Sequence, residues 1–211
     1  MIGVTFGEKH SIDDFDLILT EVSIGAPEIK TEMVSIPGRS GDLDLTDVLY
    51  SEPIFENREL SFTFKIKGTA ELWPVLMADV GGFLHGQKLN VSIDSDPDYY
   101  YYGRCAVNQL ASDKHIGTLV IYMNAEPYKY AVSETVCEVT GSQTVTLTND
   151  RMTVIPTVTV TDETTITVDD TTLALSEGTY EVTDFPLYEG DTEWEIETDG
   201  TVTITYRQGR L

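Results

Sequence analysis

The chain has 211 residues, enough for two domains of about 100 residues each, and 41% of them are hydrophobic. Its 13 basic and 36 acidic side chains give a formal net charge of −23, which argues against binding to nucleic acid or to an anionic membrane, because both require a positive surface. No apolar run approaches the roughly 20 residues of a membrane span, and the first ten residues lack the basic start and apolar stretch of a signal peptide. We therefore expect a soluble protein that stays in the cytoplasm.

Alternation of apolar and polar residues predicts strands in the first part of the chain. The pattern is present at residues 15–22 and again at residues 88–93. It is cleanest at residues 59–66, where four apolar side chains share one face: Leu60, Phe62, Phe64 and Ile66. Most of the Pro and Gly residues that mark turns also lie in this part, so we expect a mixed architecture there.

A single helix is predicted from Thr69 to about Leu84. Thr69 can cap its first amides, and Pro74 is compatible with a helix that begins late, near Trp73, because proline is tolerated in the first turn. Gly86 suits a left-handed helix end. The apolar side chains expected to form the buried face are Leu72, Val75, Leu76, Val80 and Phe83.

From residue 129 onward Thr alternates with Val and Ile, and no helix is predicted. Half-buried strands are expected at residues 145–148, 154–160 and 201–206, separated by short turns. This pattern of short strands and turns is typical of a β-sandwich or jelly roll. We therefore predict a mainly β protein with two domains, residues 1–128 and residues 129–211.

The residues that could carry catalysis or bind a metal are not arranged for it. His10, His85 and His115 lie in three unrelated settings, without a second ligand at zinc spacing. No nucleophile elbow and no glycine-rich phosphate loop is present. Cys105 and Cys137 are predicted to be reduced thiols. We predict that the protein is not an enzyme and has no cofactor.

The segment DSDPDYYYYGR at residues 94–104 is the most unusual stretch of the chain. Its three alternating acids imitate the start of a calcium loop, but the later Gly and Glu of that loop are missing, so a strand end is the alternative that we favour.

The four tyrosines of this segment would point alternately to both faces of a strand. They indicate either a subunit interface or a strand between a core and a covering loop, and a sugar platform remains open. The candidate subunit-interface residues are Tyr99, Tyr100, Tyr101 and Tyr102.

Six segments in this order carry a resemblance to a known family: IPGRSGDLDLT (36–46), NRELSF (57–62), LHGQK (84–88), DPDYYYYGR (96–104), PYKY (127–130) and VTITYRQGRL (202–211). Together they resemble the distal tail protein (Dit) family of long-tailed, non-contractile bacteriophages, the siphoviruses. The resemblance is most specific over residues 10–130.

The resemblance implies an N-terminal β-sandwich with one helix and an extended hairpin, and a C-terminal galectin-like β-sandwich that projects outward. It implies a homohexameric ring in the tail tip or baseplate. The ring joins the tail tube protein to the tail-tip hub protein of the tail-associated lysin type, with receptor-binding and tape measure proteins as further neighbours. Such a protein is made and assembled in the host cytoplasm and ends in the virion.

The alternative hypothesis is a carbohydrate-binding β-sandwich module for host or glycan recognition. It would use exposed tyrosines, or Trp73 and Trp194, as surfaces on which sugar rings stack. The second domain is short and has no obvious inserted carbohydrate-binding module of the kind that some longer members of the family carry, a departure that argues against direct recognition of a host sugar.

Overall fold

The computed structural model describes residues 2–49, 52–66, 71, 73–113 and 116–211. The backbone divides into two compact units between Pro127 and Tyr128. Both units are built mainly from antiparallel strands, as the sequence predicts. No helix in the described part of the chain is long and apolar enough to cross a membrane.

The first unit is built on one large sheet. Its elements are β1 (Val4–Phe6), β2 (Lys9–His10), β3 (Leu17–Ile24), β4 (Met33–Val34), β5 (Leu43–Asp44), α1 (Thr46–Leu49), β6 (Arg58–Ile66), α2 (Trp73–Leu84), β7 (Lys88–Ile93), β8 (Asp96–Asp113) and β9 (Ile116–Ala131). The strand order is β2-β1-β7-β8-β9-β6-β3, while β4 and β5 pair only with each other. The long neighbouring strands β8 and β9 correspond to the predicted extended hairpin.

The sheet curls so that its two ends enclose one core. Phe6 on β1 packs edge-on against Phe62 on β6, with 5.6 Å between ring centroids, although three strands separate β1 from β6 in the sheet order. The inward face of β6 is the one predicted from its alternation: Leu60, Phe62, Phe64 and Ile66 are all buried. Burial of this apolar face is what stabilises the curled sheet.

Helix α2 begins at Trp73, with Pro74 as its second residue, so the predicted late start is confirmed. The predicted cap Thr69 lies outside the described residues. The buried side chains of α2 are Trp73, Val80 and Leu84, whereas Val75 is 62% exposed. The prediction that Val75 is buried was wrong because, at 100° per residue, it lies about 160° from the face that these three side chains define.

The second unit consists of two four-stranded antiparallel sheets, β10-β17-β12-β15 and β11-β16-β13-β14. The strands are β10 (Thr135–Thr140), β11 (Gln143–Asn149), β12 (Thr157–Val160), β13 (Thr164–Val168), β14 (Thr171–Leu175), β15 (Gly178–Glu181), β16 (Gly190–Thr198), β17 (Thr201–Tyr206) and β18 (Gly209–Arg210). The last of these, β18, pairs with the end of β9. The predicted strand at 154–160 is shorter in the structure because it begins only after Pro156, and Val154 instead forms an isolated bridge with Leu187.

The core of the second unit lies between its two sheets. Trp194 on β16 is fully buried and packs edge-on against Phe185 at 5.8 Å. Both sheets contribute to this cluster, with Ile196 from one and Ile204 from the other. Shared burial of two inward faces is the arrangement of a β-sandwich.

Candidate assembly surface

The four tyrosines of β8 do not share one environment. Tyr101 is buried in the core of the first unit, while Tyr99, Tyr100 and Tyr102 are partly exposed. The regular alternation is interrupted because the pairing of β7 with β8 shifts register between Val91 and Ile93. The structure thus separates Tyr101 from the other three predicted interface residues.

Arg58 covers the ring of Tyr101 from within the same chain. Its guanidinium carbon lies 5.5 Å from the ring centroid, a distance at which a cation and an aromatic face attract each other. The same side chain donates hydrogen bonds to the carbonyl oxygens of Gly25 (2.9 Å) and Pro127 (3.1 Å). Arg58 is only 7% exposed, so this cation has a structural role inside the first unit.

Two cations lie on the outer face of β7 and β8. Lys88 and Arg104 are directly opposite each other in the register of the two strands, and both are exposed. The Lys88 ammonium lies 5.4 Å from the ring centroid of Tyr102, and the Arg104 guanidinium donates a hydrogen bond to the carbonyl of Gly86. Gly86 itself has φ +80°, the left-handed helix end that the sequence predicts.

These cations lie at a groove of about 600 Å³. Cys105 and Met123 are buried and contribute to its lining, together with Lys88, Arg104, His85, Tyr122, Asn124 and Glu59. Burial raises the pKa of the Cys105 thiol to about 11, which keeps it protonated and unreactive at neutral pH. We call this depression the basic groove.

A second feature of the first unit is the segment between β3 and β6, residues 25–57, which we call the arm. The two sides of the arm are joined to each other by hydrogen bonds from Lys30 N to Ile54 O (2.8 Å) and from Glu56 N to Glu28 O (2.7 Å). Hydrogen bonds from Thr46 lower the pKa of the Asp44 carboxyl at the end of the β4–β5 pair.

The arm exposes a set of large apolar side chains. Ile29 is 56% exposed and Met33 is 52% exposed. Among the described residues of the arm, the exposed large apolar side chains are Ile29, Met33, Val34, Ile36, Val48 and Ile54. Apolar side chains concentrated in this way on one exposed segment are typical of a protein–protein contact. The sequence pattern did not indicate this, because short apolar runs in the arm resemble those of ordinary buried strands.

The tryptophans named in the carbohydrate hypothesis are not available to a sugar. Trp73 is 4% exposed and Trp194 is 0% exposed, each within the core of its own unit. The prediction that they could be stacking surfaces was wrong, because both rings are needed to fill a core. With both tryptophans buried, the carbohydrate hypothesis retains only the exposed tyrosines as stacking surfaces.

The acids of residues 94–98 do not form a metal site in the structure. Asp94 accepts a hydrogen bond from Gly3 N at 2.7 Å and lies 3.4 Å from His10 Nε2, so it ties the turn after β7 to β1 and β2. Among the residues that the structure describes, no cluster of three or more His, Cys, Asp and Glu side chains could hold a metal ion. His85 lies at the rim of the basic groove, and His115 is outside the described residues.

No family model and no curated protein sequence matches the chain. The fold is nevertheless similar to a solved structure, the crystal structure of the SPP1 Dit protein (gp 19.1), described as a paradigm of the hub adsorption apparatus in phages that infect Gram-positive bacteria. The TM-score is 0.73, the identity is 18%, and the match covers 100% of both chains. The chain therefore has a Dit-like fold, which confirms at the level of the fold the resemblance seen in the sequence.

Proposed function

We propose that this chain is a structural protein of a phage tail tip, in which six copies form a ring between the tail tube protein and the tail-tip hub protein. The observation that carries the proposal is the fold match to a phage hub protein over the full length of both chains. Receptor-binding and tape measure proteins are the further proposed neighbours. The proposed location is the virion, after synthesis and assembly in the host cytoplasm, and no catalytic step is assigned.

The two units have different tasks in this proposal. The first unit forms the ring, because it carries the arm with its exposed apolar side chains. The second unit is the galectin-like domain, an assignment supported by its two four-stranded antiparallel sheets, and it offers a surface for a receptor-binding protein. We assign no sugar binding to it, because a fold alone does not specify that function.

The proposal is tested by measuring the particle mass and imaging the purified protein in negative stain. Six copies of 23.4 kDa give about 140 kDa, and a closed ring of identical subunits has a visible symmetry axis. We expect a six-fold ring with a central hole. A strict monomer at high concentration, with the tail-tip partner also present, would contradict the proposal.

The contribution of the arm is tested with the double variant Ile29→Asp/Met33→Asp. Its control is Val136→Asp/Ile155→Asp in the second unit, since Val136 and Ile155 are 59% and 51% exposed and closely match Ile29 and Met33. We expect the arm variant to lose assembly and the control to keep it, because charges at a buried apolar contact are strongly unfavourable. Equal assembly of both variants would remove the arm from the ring interface.

A further inference from the structure

Lys88 and Arg104 form a pair of like charges on neighbouring strands. Their positions are direct partners in the antiparallel register of β7 and β8, so their side chains project from the same face. Like charges directly opposite each other destabilise a sheet. Within the described part of the chain, no carboxylate lies within 4.0 Å of either cation.

The arginines of the second unit are placed differently. Each of three has a carboxylate partner, with N–O distances of 2.9, 2.9 and 2.7 Å respectively: Arg151 with Glu189, Arg207 with Glu134, and Arg210 with Asp150. In a chain with 36 acids and 13 bases, two directly opposed cations without a carboxylate within 4.0 Å form an arrangement that the composition does not favour.

The strands around the groove are also depleted in acids. The four strands β6, β7, β8 and β9 together contain five Lys and Arg side chains and five acids. They thus have a formal charge of zero (five minus five) in a chain of −23. A second copy that approaches this face meets less repulsion than at the rest of the molecule.

The groups at the groove are suited to a carboxylate. The Arg104 guanidinium is oriented by its hydrogen bond to the Gly86 carbonyl, and a guanidinium can bind a carboxylate through two parallel N–H bonds. His85 Nδ1 accepts a hydrogen bond from Val107 N at 3.2 Å, so Nε2 carries the proton of the neutral ring and can donate. Lys88 adds a third donor at the same rim.

We propose that the basic groove binds a carboxylate-bearing segment of a second copy of this chain, with Arg104 and Lys88 as the anchoring residues. The inference rests on the proposed ring and specifies one of its contacts. Charge complementarity identifies the occupant: outside the four strands β6 to β9 a copy carries 31 acids (36 minus five) and only eight bases (13 minus five). A groove on one subunit that takes a different surface of the next is a head-to-tail contact, the kind that closes into a ring.

The test is the concentration dependence of assembly for Lys88→Glu/Arg104→Glu, measured by mass photometry. The control is Arg151→Glu/Arg210→Glu, which changes the net charge from −23 to −27 in the same way, since each substitution adds −2. We expect the midpoint concentration to rise at least about tenfold for the groove variant and to change less than about twofold for the control. Thermal melting of both variants checks that they fold.

Milder variants keep the test decisive if charge reversal affects folding. Arg104→Lys should retain part of the assembly, because it keeps the cation but not the two parallel N–H donors. Lys88→Gln/Arg104→Gln should lose assembly and also lose part of its dependence on salt.

A groove variant that assembles like the wild-type ring would overturn the inference and leave the proposed function in place. Normal assembly with loss of binding to the purified tail-tip partner would overturn it too, since the occupant would then be a different protein. A wild-type protein that stays monomeric would overturn both the ring and the groove contact.

Discussion

The two units of this protein bury comparable cores but differ in what they leave at the surface. The second unit is a regular sandwich of short strands whose three arginines are all paired with carboxylates. The first unit interrupts its sheet with two register shifts, exposes an apolar arm and carries Lys88 and Arg104, which have no carboxylate within 4.0 Å among the described residues. The irregular unit thus exposes both an apolar segment and a pair of like charges, whereas each arginine of the regular unit has a carboxylate partner within that unit.

The largest expected effect comes from breaking the core of the second unit with Trp194→Ala. Removal of a fully buried Trp side chain should lower the free energy of unfolding by about 4 kcal/mol, through lost burial and an unfilled cavity. Chemical denaturation gives the value, and amide exchange should show the loss in residues 128–211. Tyr188→Ala is the control because Tyr188 is 49% exposed, and we expect it to cost less than about 1 kcal/mol. Similar costs for both variants would contradict the assigned core.

A somewhat smaller effect is expected from Gly103→Ala in the first unit. A Cβ atom at Gly103 would lie 2.2 Å from the Asn124 carbonyl oxygen and 2.5 Å from the Ala125 Cα, so β8 and β9 would have to separate. We expect a loss of about 3 kcal/mol in unfolding free energy.

The matched control for Gly103→Ala is Gly82→Ala on α2. Nothing lies within 4 Å of the added Cβ there, and Ala is the better helix former by about 1 kcal/mol. Denaturant melts should therefore show opposite signs for the two substitutions. A neutral Gly103→Ala would indicate that the two strands are farther apart than in the structure.

The smallest expected effect is a pH dependence that belongs to Cys105. Burial raises the pKa of this thiol from 9.0 to about 11, so the unfolded chain releases the proton first as the pH rises. The contribution of the protonated thiol to the free energy of unfolding is fully present below pH 9. It falls between pH 9 and pH 11, with a slope of up to about 1.4 kcal/mol per pH unit. Cys105→Ala should remove this contribution in urea melts at several pH values. Parallel pH profiles for the variant and the wild type would show that the thiol does not titrate in this range.

Regular strands could be predicted from the sequence because their periodicity reflects burial on one face. Residues 88–93 and 201–206 are strands with the predicted bounds, since apolar side chains alternate throughout both. The strand predicted at residues 15–22 begins and ends two residues before the observed strand β3, which runs from Leu17 to Ile24. β3 contains a register shift near Leu19, which breaks the alternation.

The candidate surface could be predicted only in part. Tyr99–Tyr102 drew attention as a strand, but the burial of Tyr101 depends on Arg58, 43 positions earlier in the chain, which no local pattern reveals. Lys88 and Arg104 are 16 positions apart, and they meet only through the β7–β8 register. The alternative carbohydrate hypothesis could name the tryptophans as stacking surfaces because residue type alone does not distinguish a core ring from a stacking ring.

The position of Arg58 has a mechanical consequence. One buried guanidinium holds the carbonyl of Gly25, where the arm leaves the sheet, and the carbonyl of Pro127, the last residue of the first unit. A force applied to the arm is therefore resisted by the same side chain that fixes the exit of the chain. Tension at either point therefore loads the Arg58 side chain, which at Gly25 acts together with the hydrogen bond from Gly25 N to the Glu59 carbonyl (2.9 Å).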